Sequence, residues 1–251
     1  MPRRPNPAGR NPRAGRPSSQ RKTHAAKSRT PKAPDAKRPG VPAPQPAASA
    51  PAGPFVLGAI PGATPGKWID AWQDRMPDNP LELRPLAVVA QRQAIVAGDV
   101  DAALVRLPID KTGLHVIPLY DEVPVVATST ESHLTAADSL TPADLADEVL
   151  IIPSDDVLGL RADTFPNVAP PRFAPPASTE EAIATVAAGV GFVVVPMSLA
   201  RLHHRKDVAY RPLEQAPTST VALAWQADRT TALVDAFVGI VRGRTANSSR
   251  G

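Results

Sequence analysis

The sequence predicts an α/β fold, and three observations predict it. Short apolar or β-branched runs recur along the chain, most of them ended by Gly or Pro. Between them lie segments of about ten residues with helical composition and recognisable start signals. Hydrophobic residues make up 43% of the chain, enough for a core, and aromatics at 4% make that core aliphatic. Strands alternating with helices of this length imply a largely parallel sheet.

The elements follow in order. Phe55-Val-Leu-Gly-Ala-Ile60 reads as a buried strand ended at Pro61. Thr64-Pro65 predicts a helix start, a hydroxyl cap followed by proline at the first helical position. Leu81-Glu-Leu-Arg84 alternates as a half-buried strand does, and Ala90–Ala97 is helical in composition up to Gly98. Val100–Val105 is a second buried strand. Val123–Thr128 and Val149–Ile152 are β-branched runs, with Thr141-Pro142-Ala-Asp144 capping a short helix between them. Ser178-Thr-Glu-Glu181 is a capping box whose helix runs to Ala188 and stops at Gly189. Phe192–Val195 is the next strand, ended by Pro196, and Val221–Trp225 a late one. Thr231–Arg242 is a final amphipathic helix with Leu233, Val234, Phe237, Ile240 and Val241 inward.

Charge divides the chain. The whole carries 28 Lys and Arg against 24 Asp and Glu, yet Met1–Pro54 alone holds 12 basic residues and one acid, a charge of +11. The remainder, with 16 basic and 23 acidic residues, is at −7. That first segment also has 13 of the 31 prolines, and its only large apolar side chains are Met1 and Val41. Ordering a residue costs roughly 1–2 kcal/mol of backbone entropy, and this segment has almost nothing to bury in return. Residues 1–54 therefore read as a disordered basic tail, residues 55–244 as the folded unit and residues 245–251 as a short flexible tail. The absence of cysteine excludes thiolate metal sites, disulfides and a cysteine nucleophile. No run of about 18 apolar residues and no secretory signal occur, so no membrane partner and a cytoplasmic location are expected.

Chemistry-bearing patterns are few. His203-His204 is flanked by Arg201, Arg205 and Lys206, which would repel a cation, so it reads as a basic helix end and no metal is expected. Asp155-Asp156 reads as a solvated loop pair. No glycine-rich loop precedes a Lys-Ser/Thr pair and no Gly-x-Ser-x-Gly elbow occurs, so no catalytic residue, enzyme activity or cofactor is expected. Pro61–Lys67 leaves a strand and enters a helix, where free N–H groups, the Thr64 hydroxyl and the Lys67 charge would suit an anion. An ordinary capped helix has the same spacing. Arg106 follows a strand at the end where open α/β sheets bind ligands; a surface ion pair is the competing reading.

Five segments recur in order: Gly58-Ala-Ile-Pro61, Leu81-Glu-Leu83, Gly98-Asp-Val-Asp-Ala-Ala-Leu-Val-Arg106, Pro118-Leu-Tyr-Asp-Glu-Val123, and Ala188-Gly-Val-Gly191 with Val195-Pro196. Together they resemble the effector-binding (substrate-binding) domain of LysR-type transcriptional regulators, of the type 2 periplasmic-binding fold, over about Phe55–Arg242. The resemblance implies two Rossmann-like subdomains with mixed, mostly parallel sheets around a ligand cleft, joined by two crossover strands. It puts subdomain I at Phe55–Leu107 plus Arg211–Arg242 and subdomain II at Pro108–Tyr210. It implies a small effector, often a carboxylate, and a homodimer formed side by side. The ligand residues it implies are Gly62, Ala63 and Thr64, Arg106 at the crossing, and Thr128, Pro153, Ser154 and Pro196 from subdomain II. Gly62 stands where the family often has Ser or Thr, and Leu86-Ala-Val-Val89 where it often has small polar groups. A cleft more apolar than usual follows, anchored by Thr64 and by Arg106, whose fork suits a carboxylate.

Members of that family begin with a winged helix-turn-helix, and Met1–Pro54 lacks the apolar positions one needs to set a helix in a major groove. The alternative role for the chain is a DNA-associated one, held non-specifically and with steep salt dependence by the +11 tail. Ala14-Gly15-Arg16-Pro17 resembles the Gly-Arg-Pro core of minor-groove hooks. Arg13, Arg16, Arg21 and Lys22 are the residues that role would use. An inert solubilising leader fits the same composition.

Overall fold

Short, largely apolar runs, buried on both faces, build the cores of two sheets. The computed structural model describes residues 53–216 and 218–243, so Arg13, Arg16, Arg21, Lys22 and the tail readings fall outside the described residues. In chain order the elements are β1 (Phe55–Ala59), α1 (Gly66–Arg75), β2 (Leu81–Pro85), α2 (Gln91–Ala97), β3 (Ala102–Arg106), β4 (Leu114–Glu122) and β5 (Pro124–Ser129). Then come α3 (Thr179–Ala187), β6 (Phe192–Pro196), α4 (Met197–Leu202), β7 (Val208–Pro212), β8 (Ser219–Gln226) and α5 (Ala232–Val241).

The first sheet has the order β2-β1-β3-β8-β4; β1 is parallel to β2 and β3, and β8 is antiparallel to β3 and β4. Four of its five strands therefore point the same way. The second sheet, β6-β5-β7, has both outer strands antiparallel to β5, unlike the mostly parallel arrangement expected. Periodicity fixes which side chains face inward and carries no information on strand direction.

Alternation decides the packing. In β3, Ala102 and Leu104 join Phe55, Trp72, Phe237 and Leu223 under α1 and α5, while Ala103 and Val105 join Ile95, Ala222 and Ala224 under α2. Phe55 stacks on Trp72 at 4.7 Å and lies 5.1 Å from Phe237, so the few aromatics concentrate in one layer. In β5, Val125 and Ala127 pack against Ile183 and Val186 of α3, and Val126 packs on Leu145, Phe165 and Phe192 on the other face.

Several expectations shift. α1 starts at Gly66 with Pro65, not Thr64, at the cap position and no side-chain cap. Val149–Ile152 forms only isolated bridges, Val149 to Ala169 and Leu150 to Phe192, because its apolar side chains reach the core without a ladder. β4, β7 and α4 were not foreseen; β4 mixes buried and exposed positions without strict alternation, and α4 is six residues long. β4 pairs with β8, so the first crossing between sheets is Val123 and not Leu107–Pro108. β7 pairs with β5, so the return lies between Pro212 and Ser219 and not at Tyr210–Arg211. The short turn at Pro142–Leu145 keeps its reciprocal Thr141–Asp144 cap. Ser178 accepts from the Glu181 N–H at 3.2 Å, but the Glu181 carboxylate accepts from Ala177 instead of closing the box.

Candidate functional site

The C-terminal ends of β1, β3 and β4 share one edge of the first sheet, the edge where open α/β sheets receive ligands. β1 runs from that edge into the loop Gly62–Thr64. The second subdomain faces it with α4, which follows β6 without a connecting loop. A cavity of about 610 Å³ lies between them. One wall is Gly62, Ala63 and Thr64; the floor is Tyr120, Asp121, Glu122 and Val123; the other wall is Met197, Ser198, Arg201 and Leu202.

Gly62 is what lets the two walls meet. Its φ is +83°, and an added Cβ would run into Ser198 Oγ, with Ser198 Cβ at 2.8 Å and Leu199 Cδ2 at 3.3 Å. The hydroxyl that the family resemblance would put at position 62 is missing there, and Ser198 brings one to the same place from the opposite subdomain. Ser198 Oγ is buried and has no hydrogen-bond partner among the described residues. Thr64 lines the cavity and does not cap α1, and Lys67 Nζ lies 5.1 Å above the ring of Trp68.

Arg106 is 2% exposed and takes neither of the two forms expected for it. It is an ion pair, but a buried one: Nη1 donates to Glu122 Oε2 at 2.7 Å and to Ser219 Oγ at 2.6 Å. Its Nε and Nη2 are enclosed with no partner among the described residues. Gln91 fixes its backbone, accepting from Arg106 N at 2.8 Å and donating to Arg106 O at 2.9 Å. Arg106 thus stands behind the cavity, with Glu122 between them. Burial, followed by the negative charge of Glu122, raises the Tyr120 pKa above its ordinary value, with Arg106 opposing, so this phenol remains a donor at neutral pH. Asp121 Oδ1 accepts from Thr220 Oγ1 at 2.6 Å. Arg201 is an exposed cation with no ion-pair partner among the described residues.

Of the residues expected at the ligand, Gly62, Ala63 and Thr64 come together on the cavity wall. Thr128 sits at the far end of β5, buried, with Oγ1 donating to Gly191 O at 3.3 Å, beside a different cavity of about 520 Å³. Pro196 caps α4 and Ser154 donates its N–H to Pro176 O at 2.9 Å; neither they nor Pro153 belong to the described lining. Asp155 accepts from Thr179 Oγ1 at 2.8 Å and Asp156 from the N–H groups of Leu158 and Leu160, so both carboxylates serve local structure. Tyr120, Asp121, Glu122, Ser198 and Arg201 were not foreseen as lining. The only signal for the first three was the motif Pro118–Val123, and α4 has no side-chain cap to announce the other two. A larger cavity, about 830 Å³, lies inside the first subdomain among Met76, Ile117, Trp225 and Val238. It touches no residue of the second sheet and none at the C-terminal ends of β1, β3 and β4, so the smaller, two-walled cavity is the candidate ligand site.

Comparison with known proteins agrees with this fold. Residues 48–246 match the LysR substrate binding domain. The HTH-type transcriptional regulator AlsR of Bacillus subtilis (strain 168) is 26% identical over 176 residues, 67% of this chain and 58% of that protein. The HTH-type transcriptional regulator CatR of Pseudomonas putida is 34% identical over 143 residues, 53% of this chain and 48% of that protein. The chain spans about half the length of these curated relatives. In fold it resembles the reduced OxyR regulatory domain from Pseudomonas aeruginosa, with a TM-score of 0.59 at 24% identity, covering 76% of this chain and 97% of that one. It also resembles the BenM effector binding domain with its effector benzoate, with a TM-score of 0.65 at 20% identity, covering 80% and 95%. Two sheets joined by two crossings, with a cavity between them and a family match across the whole described body, lead to one conclusion: the chain belongs to the LysR substrate binding domain family.

Proposed function

We propose that the chain is a cytoplasmic, non-enzymatic regulatory module that binds a small-molecule effector in the cavity between its two subdomains. The observation that carries this reading is the two-walled cavity at the strand ends, where Gly62 lets α4 close over the loop after β1. The effector is read as a carboxylate, the class to which the benzoate of BenM belongs. Its anionic group meets Arg201, with the hydroxyls of Thr64 and Ser198 beside it. Arg106, expected as the anion partner, is already paired with Glu122 and acts from behind. Binding only the native state at about 100 times Kd adds about 2.7 kcal/mol. A carboxylate panel should therefore contain a compound that raises the melting temperature of the full chain by about 5–10 °C. Ala63→Trp, which fills the cavity, should abolish the shift. An equal shift in that variant, or none from any compound, would refute the reading.

A homodimer completes the proposal: Leu83, Val89 and Val96 of the first subdomain and Val190 of the second are large exposed apolar residues, Val89 at 95%. Sedimentation at micromolar concentration should give twice the monomer mass. A second reading is favoured by the +11 charge of residues 1–54, which suits non-specific contact with nucleic acid. Replacing Arg13, Arg16, Arg21 and Lys22 by Ala should then flatten the salt dependence of DNA binding by about 0.9 in log–log slope per lost contact. A slope that does not change sinks that role.

A further inference from the structure

We propose that Arg106 is a positioning residue that fixes how the two walls of the cavity face each other. This rests on the reading of that cavity as the effector site. The chain passes between the sheets twice. The first passage is Val123, between Glu122 at the end of β4 and Pro124 at the start of β5; the second ends at Ser219, the first residue of β8. Glu122 and Ser219 stand opposite each other in the β4–β8 ladder. Arg106 ends β3 and reaches both: a single nitrogen, Nη1, donates to Glu122 Oε2 at 2.7 Å and to Ser219 Oγ at 2.6 Å. One buried cation therefore ties together the two points at which the subdomains are connected.

The tie is anchored on one side only. Gln91 of α2 holds the Arg106 backbone from both its N–H and its carbonyl, so the guanidinium is rooted in the first subdomain. Movements between subdomains are absorbed by a few residues at element ends, and here those residues are the partners of Nη1. Charge-assisted bonds of this length are directional, so they restrict the angle at which both strands leave the first sheet. Glu122 is also a cavity residue. A ligand group that draws on its carboxylate competes with Arg106 and relaxes the tie, which makes Glu122 the point at which occupancy is felt.

The chain has no cysteine, so two introduced thiols can be labelled without background. Exposed Gln73 of α1 and Glu180 of α3 report on the two subdomains, and spin labels at Gln73→Cys and Glu180→Cys give their separation in the full chain without ligand. The tie predicts a narrow distance distribution, broadened about twofold or more by Glu122→Gln and by Ser219→Ala with unchanged far-UV dichroism. Ser219→Ala leaves the ion pair in place, so it decides alone should Glu122→Gln fail to fold. A lowered melting temperature with an unchanged distribution would make Arg106 a structural group only and overturn the proposal. Because no ligand is present, a failed effector screen leaves this result untouched.

Discussion

Gly189 and Gly191 sit two residues apart in the turn from α3 to β6, at φ +82° and +63°, and differ in what a methyl group would meet. At Gly189 nothing lies within 4 Å. At Gly191 a Cβ would run into the backbone carbonyl oxygen of Val149, with Val149 Cβ 2.7 Å away. Alanine in this left-handed region costs roughly 1–2 kcal/mol, and at Gly189 that is the whole penalty. At Gly191 the Val149–Ile151 segment must also move. Its Val149 carbonyl accepts from Phe192 N and its Ile151 N–H donates to Phe192 O, both at 2.9 Å. Weakening two such bonds adds roughly 1–3 kcal/mol. Gly189→Ala should therefore lose about 1–2 kcal/mol and Gly191→Ala about 2–5, or about 2–8 °C against 4–20 °C in melting temperature. Calorimetry of the full-length variants reads both. Equal losses would refute the argument that Gly191 is required by its neighbour and not only by its φ.

Three further outcomes follow from the packing and the caps. Trp72→Ala removes a fully buried ring stacked on Phe55 and should cost about 3–5 kcal/mol in urea unfolding; a loss under about 1 would contradict the aromatic layer. Thr231 accepts from Val234 N at 3.3 Å to cap α5, so Thr231→Ala should cost about 1 kcal/mol in the same assay, with an unchanged midpoint counting against the cap. Hydrogen bonds from the backbone N–H and hydroxyl of Thr141 hold the exposed Asp144 carboxyl below the ordinary aspartate range. A depressed folded pKa stabilises above the unfolded value, and that contribution is lost as pH falls through the folded one. The advantage of the wild type over Asp144→Asn should accordingly be present near neutral pH and vanish in strong acid; an advantage that grows on acidification would show the sign to be wrong.

The order of most elements was legible because burial imposes it. β1, β3, β6 and β8 are runs of apolar residues sealed on both faces, and such runs stand out in any sequence. β4 was hidden because as an edge strand it is only intermittently buried, and missing it displaced the subdomain boundary. Strand direction in the second sheet was also beyond reach, since alternation reads the same both ways. At the site, local signals found Gly62–Thr64 on their strand-to-helix loop. Arg106 ends its strand as the sequence suggests, but its side-chain contacts are with Glu122 and Ser219, 16 and 113 positions away. Pairings of that separation leave no trace in composition or spacing. Ser198 was invisible for the same reason: its meaning comes from Gly62, which it meets across the cavity.

The proposed effector site lies between the two subdomains and not inside the first. Amide hydrogen exchange of the full chain, with and without the most stabilising carboxylate, tests it directly. Protection should rise on both walls, at residues 62–64, 120–123 and 197–202. Protection confined to residues 115–117 and 232–242, around the larger cavity of the first subdomain, would contradict it.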